Sequence, residues 1–244
     1  MYQEQRLEEI LKLLQNQEVL TTEKMIEYFK VSRDTVRRDF TKLTQEGKVK
    51  RIHGGIMRLE SNNEIVSFND RLHEFSDAKQ HIAEIAQEFI QDHGIYFFDV
   101  STTVLKLAQI LNTEATIYTH SLDNSIMLSE NTKIDLHLLG GKFFSKNRFF
   151  YSLNEAEILN RINFDVAFIG AAGLKNNQVS FKNQEDAYLK ELILKNAKTK
   201  VLLAENFKFT KESTYSVGQI ADFDYLITDL KPSSDISSMT KVKY

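Results

Sequence analysis

The sequence predicts an α/β chain in two parts, a small N-terminal helical module closed by a hairpin and a larger C-terminal domain of alternating strands and helices. Three observations carry that expectation. Apolar residues within the first 45 positions recur at helical spacing in three short stretches. From residue 95 onward, short apolar runs alternate with helical patterns, as in a domain built on a mainly parallel sheet. Charge divides the same way: residues 1–58 carry twelve Lys and Arg against nine Asp and Glu, the rest nineteen against twenty-five, beneath a net charge of −3.

In order, Leu7, Ile10, Leu11 and Leu14 form one stripe of a first helix ending near Gln15. Thr21-Thr22 offers the N-cap of a second, with Met25, Ile26 and Phe29 inward. Ser32 caps a third, whose buried line is Val36, Phe40 and Leu43 and which Gly47 stops. Residues 48–58 then mix basic and apolar residues on either side of Gly54-Gly55, as a β-hairpin does. This is the pattern of a helix-turn-helix with a wing, over residues 1–58.

The polar stretch 59–69 reads as a linker. A helix over Ala78–Gln91 leads to a strand at Ile95–Phe98, and further strands are expected at Ala115–Tyr118, Ile134–Leu139, Val166–Ile169, Val201–Ala204 and Tyr225–Ile227. Helices fall between them at Thr103–Leu111, Leu122–Ser129, Ala156–Ile162 and Asp186–Ala197. The second domain therefore spans 70–231, and the Lys- and Ser-rich tail 232–244 is expected to be loosely held.

Composition narrows the function. Hydrophobic residues make up 42% of the 244, enough for packed cores. No apolar run approaches the roughly 18 residues of a membrane span, and Met1-Tyr2-Gln3-Glu4-Gln5 opens an acidic helix rather than a signal peptide, so a soluble, cytoplasmic protein with no membrane partner is expected. With Cys 0 there is no disulfide framework, thiolate nucleophile or cysteine metal site.

Residues Val31–Arg58 carry eight basic against three acidic side chains, a balance suited to a polyanion. With Val36, Phe40 and Leu43 inward, Arg33, Thr35, Arg37, Arg38 and Thr41 remain outward on the helix that enters the major groove in such motifs. Arg can bond guanine N7 and O6 or clamp a phosphate, and Ser32 at the helix start can position another. Lys48, Lys50, Arg51 and His53 place the wing against the backbone of double-stranded DNA, and Asp39 is expected to steady a neighbouring Arg.

Val31-Ser32-Arg33-Asp34-Thr35-Val36-Arg37-Arg38-Asp39-Phe40, Leu43, Gly47-Lys48-Val49-Lys50-Arg51 and Ile52-His53-Gly54-Gly55 resemble the N-terminal signature of the DeoR family of bacterial transcriptional regulators, of the lactose or fructose phosphotransferase-operon type. The resemblance implies, for the second domain, a sugar-phosphate sensor related in fold to ribose-5-phosphate isomerase and coenzyme A transferases. In that light Asp99-Val100-Ser101-Thr102-Thr103 matches the family's Asp-x-Gly-Thr-Thr, with Ser101 in the glycine's place. Thr119-His120-Ser121 resembles its Thr-Asn-Ser, Gly140-Gly141 its glycine pair, residues 164–173 its strand and glycine loop, and Glu185 with Lys190 its helix pairing. Glu205-Asn206-Phe207-Lys208-Phe209 stands where the family has Asp-Ser-x-Lys-Phe. The implied effector residues are thus Asp99, Ser101, Thr102, Thr103, Ser121, Gly141, Glu185 and Lys208.

Read without the resemblance, a Ser/Thr-rich strand-to-helix junction is an N-cap as readily as a phosphate site. No Walker loop, dinucleotide fingerprint or paired-His metal motif occurs, so no catalytic residue, metal or cofactor is assigned. The expectation is a transcriptional repressor of a carbohydrate-utilisation operon, a homodimer or homotetramer on paired half-sites, released from its operator by a phosphorylated sugar through linkage. Two alternatives stand beside it: a constitutive DNA-binding regulator whose sensor has decayed, and a sugar-phosphate isomerase-like enzyme.

Overall fold

A computed structural model describes residues 2–17, 19–46, 48–52, 54–58 and 77–244. The expected helix stop at Gly47, the wing residue His53 and the linker at 59–69 lie outside the described residues. The chain divides into two compact units, Met1–Glu64 and Ile65–Tyr244.

The first unit runs α1 (Gln3–Asn16), β1 (Val19–Thr21), α2 (Thr22–Phe29), α3 (Arg33–Gln45), β2 (Val49–Ile52) and β3 (Gly55–Arg58). The stripe Leu7, Ile10 and Leu14 of α1 is buried with Met25, Val36, Phe40, Leu43, Val49 and Ile56 in a single core. Thr21 accepts a hydrogen bond from the Lys24 N–H at 3.3 Å, and Ser32 caps α3 by accepting from the Thr35 N–H at 3.2 Å. Lys30, in the left-handed region at φ 53°, makes the turn between α2 and α3. One element was not anticipated. Three residues of β1 are too few to show a period, yet they add a third antiparallel strand to the wing, in the order β1-β3-β2.

That strand explains Gly55. Thr21 pairs with Gly55 and Leu20 with Ile56, so closely that a Cβ on Gly55 would run into the Leu20 carbonyl oxygen. Gly55→Ala is expected to push β1 off the wing at a cost of about 1–3 kcal/mol. Urea unfolding should show the transition of the first unit move to lower denaturant while that of the second holds.

The second unit is built on a seven-stranded sheet in which every neighbouring pair is parallel. Its chain order is α4 (Asp77–Gln87), β4 (Gly94–Phe98), α5 (Thr102–Ile110), β5 (Ala115–Thr119), α6 (Leu122–Ser129), β6 (Ile134–Leu138), β7 (Lys142–Phe144), β8 (Phe149–Tyr151), α7 (Leu153–Leu159), β9 (Phe164–Gly170) and β10 (Gln178–Phe181). Then come α8 (Gln184–Asn196), β11 (Ala197–Leu203), β12 (Tyr215–Gln219), β13 (Tyr225–Ile227), α9 (Ser234–Met239) and β14 (Lys241–Lys243). Side chains alternate between two cores, one on each face: Phe97 joins Phe164, Ile169 and Leu202, whereas Tyr96 and Phe98 join Val104, Phe168 and Leu203.

Strand order is β14-β13-β11-β9-β4-β5-β6. The chain leaves β4 toward β5 on one side and returns to β9 on the other, so the order reverses between β4 and β9. In open parallel sheets that reversal opens a crevice at the carboxyl ends of the strands.

Three expectations need correction. The helix expected to reach Gln91 ends at Gln87, because the Tyr96 hydroxyl accepts from the Gln91 N–H at 2.7 Å and donates to the Gln91 carbonyl at 2.9 Å, holding that segment in a turn. The helix expected over Ala156–Ile162 begins at Leu153, where Ser152 caps it by accepting from the Glu155 N–H. The tail is not loose: β14 pairs with β13, and Ile236 and Val242 pack on a core.

Candidate functional site

On the first unit, the cap at Ser32 leaves the outer face of α3 to polar side chains. Arg37 and Arg38 are exposed and, with Asp34, Thr41, Lys42 and Gln45, line an open surface depression. Arg33 pairs with Glu23 of α2, and the Thr35 hydroxyl shares a 2.9 Å hydrogen bond with Ser32 Oγ. Lys48 is paired with Glu46 at 2.9 Å, and Lys50 points to solvent. Arg51 is exposed as well, but its guanidinium lies 5.3 Å over the Phe40 ring. Asp39 does steady an arginine, but the partner is Arg6 of α1: Arg6 Nε donates to Asp39 Oδ2 at 2.8 Å, and Gln3 donates to Oδ1 at 2.9 Å. All of Asp39 and Arg6 is buried.

On the second unit, Asp99 follows β4 at the reversal of strand order. Its Oδ2 accepts from the Gly170 N–H at 2.9 Å and its Oδ1 from the Val100 N–H at 2.7 Å. Lys190 of α8 bridges it to Asp186, with Nζ 3.1 Å from Asp99 and 2.6 Å from Asp186. His120, at the end of β5, completes the cluster: its Nε2 lies 2.9 Å from Asp186 Oδ1 and 3.9 Å from Asp99 Oδ1. A carboxylate only accepts, so Nε2 carries the proton. The imidazole stacks on Phe97 and meets Phe149 edge-on, and its Nδ1 is buried with no hydrogen-bond partner.

Electrostatics split the two acids. Burial pushes Asp99 upward, against the pull of Lys190. Burial works the same way on Asp186, but there Lys190 and the His120 hydrogen bond prevail and hold the carboxyl down to about 2. Among the described residues, Asp99, His120 and Asp186 form the grouping with the spacing of metal ligands. The Lys190 ammonium already stands against both carboxylates, so this donor set is neutralised without a metal. Beside the cluster, Asp99, Ser101, Gly170, Asn147, Lys182, Asp186 and Lys190 are among the residues lining a half-open polar cavity of about 30 Å³.

Residues 74–230 match the DeoR C terminal sensor domain, and residues 6–62 the DeoR-like helix-turn-helix domain. The chain belongs to the DeoR family. Its similarity to the repressor GlcR of Bacillus subtilis is 34% identity over 96% of this chain and 91% of that one. The lactose phosphotransferase system repressor of Streptococcus mutans is 32% identical over 99% and 98%, and the glycerol-3-phosphate regulon repressor of Escherichia coli 27% over 95% and 93%. All three are transcription regulators by name. Among solved structures, a D-ribose-5-phosphate isomerase in complex with phospho-erythronic acid overlaps 53% of this chain and 52% of its own, with 16% identity and a TM-score of 0.40. No helix of the described residues is long and apolar enough to cross a membrane.

Against the DeoR pattern, the expected effector residues separate into three groups. Asp99 and Ser101 line the cavity, and Thr102 and Thr103 lie buried in the first turn of α5 beside it. Ser101 occupies the family's glycine position without strain, at φ −143°, and its Oγ accepts from the Thr103 N–H at 3.2 Å. The close approach falls on Gly170 instead, where a Cβ would collide with the Ser101 side chain. Ser121 and Gly141 serve the fold: Ser121 caps α6, and Gly141, at φ 118°, lies against the Tyr151 carbonyl. Glu185 and Lys208 are not among the cavity's lining residues. Lys190 pairs with Asp186, one turn before it, rather than with Glu185. Lys208 is buried on the turn Asn206–Thr210, its Nζ 4.7 Å over Phe207, while Glu205 is paired with Lys79 at 2.8 Å.

Asp186 and Asn147 were not assigned from the sequence, Lys190 was named there only as a partner of Glu185, and His120 only as a departure from the DeoR pattern. A signal for Asp186 and Lys190 was present: an acid and a base at i, i+4 flanking Ala187 and Leu189, on a face that should have been apolar.

Proposed function

We propose that this DeoR-family chain represses a carbohydrate-utilisation operon and leaves its operator when a phosphorylated sugar binds the cavity between β4 and β9. The observation that supports it is a chain carrying both an exposed Arg37–Arg38 face on a capped helix and a buried polar cavity at the start of α5. The partial positive charge of that helix start suits a phosphate dianion, and Lys182 on the cavity wall adds a cation, whereas Lys190 is held between Asp99 and Asp186. One relative is named for a small phosphate ester, the glycerol-3-phosphate regulon repressor, and another for the lactose phosphotransferase system.

A widened state of this half-open cavity is the one that would admit a whole sugar, and this is where linkage enters. A ligand that binds only the opened state shifts the population toward it and weakens operator binding reciprocally. Electrophoretic mobility shift on the gene's own upstream DNA, with and without a panel of phosphosugars, tests the whole reading. On that DNA, Arg37→Ala should cost about 1–3 kcal/mol with relaxed base preference, and Lys50→Ala should weaken all sequences alike and lower the salt slope by about 1. Undiminished binding by Arg37→Ala rejects α3 as the reading helix.

The effector is expected to reveal itself in melting. At roughly a hundred times Kd a ligand specific to the folded state adds about 2.7 kcal/mol, raising Tm by about 5–10 °C for a domain of this size. Thr102→Val should abolish the shift without lowering the Tm of the free protein. A tight operator complex with no shift from any phosphosugar supports the constitutive alternative instead.

A further inference from the structure

The two edges of the seven-stranded sheet are built differently. At one end β14 is three residues long and carries Lys241 and Lys243, a short and lysine-guarded edge of the kind that discourages strand addition. At the other, β6 presents five residues, Ile134-Asp135-Leu136-His137-Leu138, with no lysine and no proline. No strand of the described residues pairs with its outer side. Leu138 is 42% exposed, and α6, which packs beside β6, exposes Ile126 and Met127. An edge with a free backbone and apolar side chains calls for a partner.

We propose that β6 is a self-association interface: it pairs antiparallel with β6 of a second copy about a two-fold axis through Leu136. The strand is complementary to itself in that register and in no other that keeps all five residues paired. Ile134 then faces Leu138 of the second copy, and Leu138 faces its Ile134. On the other face Asp135 lies opposite the second copy's His137, twice, by symmetry. A carboxylate acceptor thus meets an imidazole N–H donor across the axis, the same pair that already bonds within the strand at 3.2 Å. A shift by two residues would unpair the strand ends and set Asp135 against its own copy. The flanking Ile126 and Met127 extend the buried patch beyond the strand. The result is one sheet of fourteen strands running through both copies, made of twice the seven in each.

This inference rests on the sheet alone and stands or falls without DNA or sugar. Mass photometry and sedimentation of the full chain should show a dimer. Asp135→Lys and His137→Asp, each alone, should weaken it about tenfold, by loss of one partner and by like charges opposite one another. Together they restore an acid opposite a base, and dimerisation should return to within about threefold of the parent. Because the chain has Cys 0, any disulfide-linked dimer of a single-cysteine variant reports one position. Leu136→Cys, on the axis, should cross-link readily under mild oxidation, and Asp235→Cys, near the opposite edge, should not. A chain that stays monomeric, a dimer untouched by either single variant, or cross-linking at 235 as fast as at 136 overturns the proposal.

Discussion

Lys190→Met is expected to cost the second unit about 3–5 kcal/mol, seen as a collapse of its unfolding transition while the first unit's transition stays in place. Lys190 is 1% exposed and stands between Asp99 and Asp186, so its loss strands two carboxylates in the interior with only His120 to share. Methionine matches the volume, which separates the charge effect from a cavity.

The pH dependence carries a second signature. In the parent, Asp186 at about 2, against 3.8 unperturbed, contributes stability that is present above pH 4 and lost as pH falls toward 2, on the order of 2 kcal/mol. Asp99, raised by burial, works the other way, favouring the fold as pH falls through its folded pKa. Without Lys190 both acids should be raised. The variant should therefore gain stability on acidification to about pH 4 and lack the parent's further loss below it. Parallel pH profiles for the two proteins would show that Lys190 does not hold Asp186 down.

Asp39→Ala should abolish operator binding although Asp39 touches no DNA. It leaves the Arg6 guanidinium buried beside an empty acceptor, at a cost of about 3–5 kcal/mol. A unit of some 60 residues has only about 3–9 kcal/mol in hand, so the loss takes from a third of that stability to all of it. Calorimetry should show its transition lowered or lost and the second retained. Replacing Arg6 and Asp39 together with leucine should recover much of the stability, since a buried pair contributes little over apolar residues of similar size. Wild-type operator affinity in Asp39→Ala would mean that the pair does not support α3.

What the sequence disclosed was local. Thr21 and Ser32 announce α2 and α3 because a cap is a matter of three adjacent residues, and α6 falls at Leu122–Ser129 as its pattern predicts. The strands β1 and β14 escaped notice because three residues carry no period and their existence depends on partners far along the chain. The site divides the same way. Asp99 is visible at a strand-to-helix junction, but Lys190 reaches it from a helix 91 positions later, and only the fold brings the two together. Ser101 stands where the family has glycine, yet its backbone is extended and the close approach is met by Gly170, a residue of another strand.

The place of β14 also sets an order of events during synthesis. The Thr228 N–H bonds to the Lys243 carbonyl, and β14 closes the sheet beside β13, so the second unit cannot be completed until residue 243 has left the ribosome. The first unit needs nothing beyond β3 for its own core. At roughly 5–20 residues per second, the stretch from Arg58 to Lys243 takes about 10–40 s to translate. For that interval the first unit has every residue of its own core, while the sheet of the second still lacks its last strand.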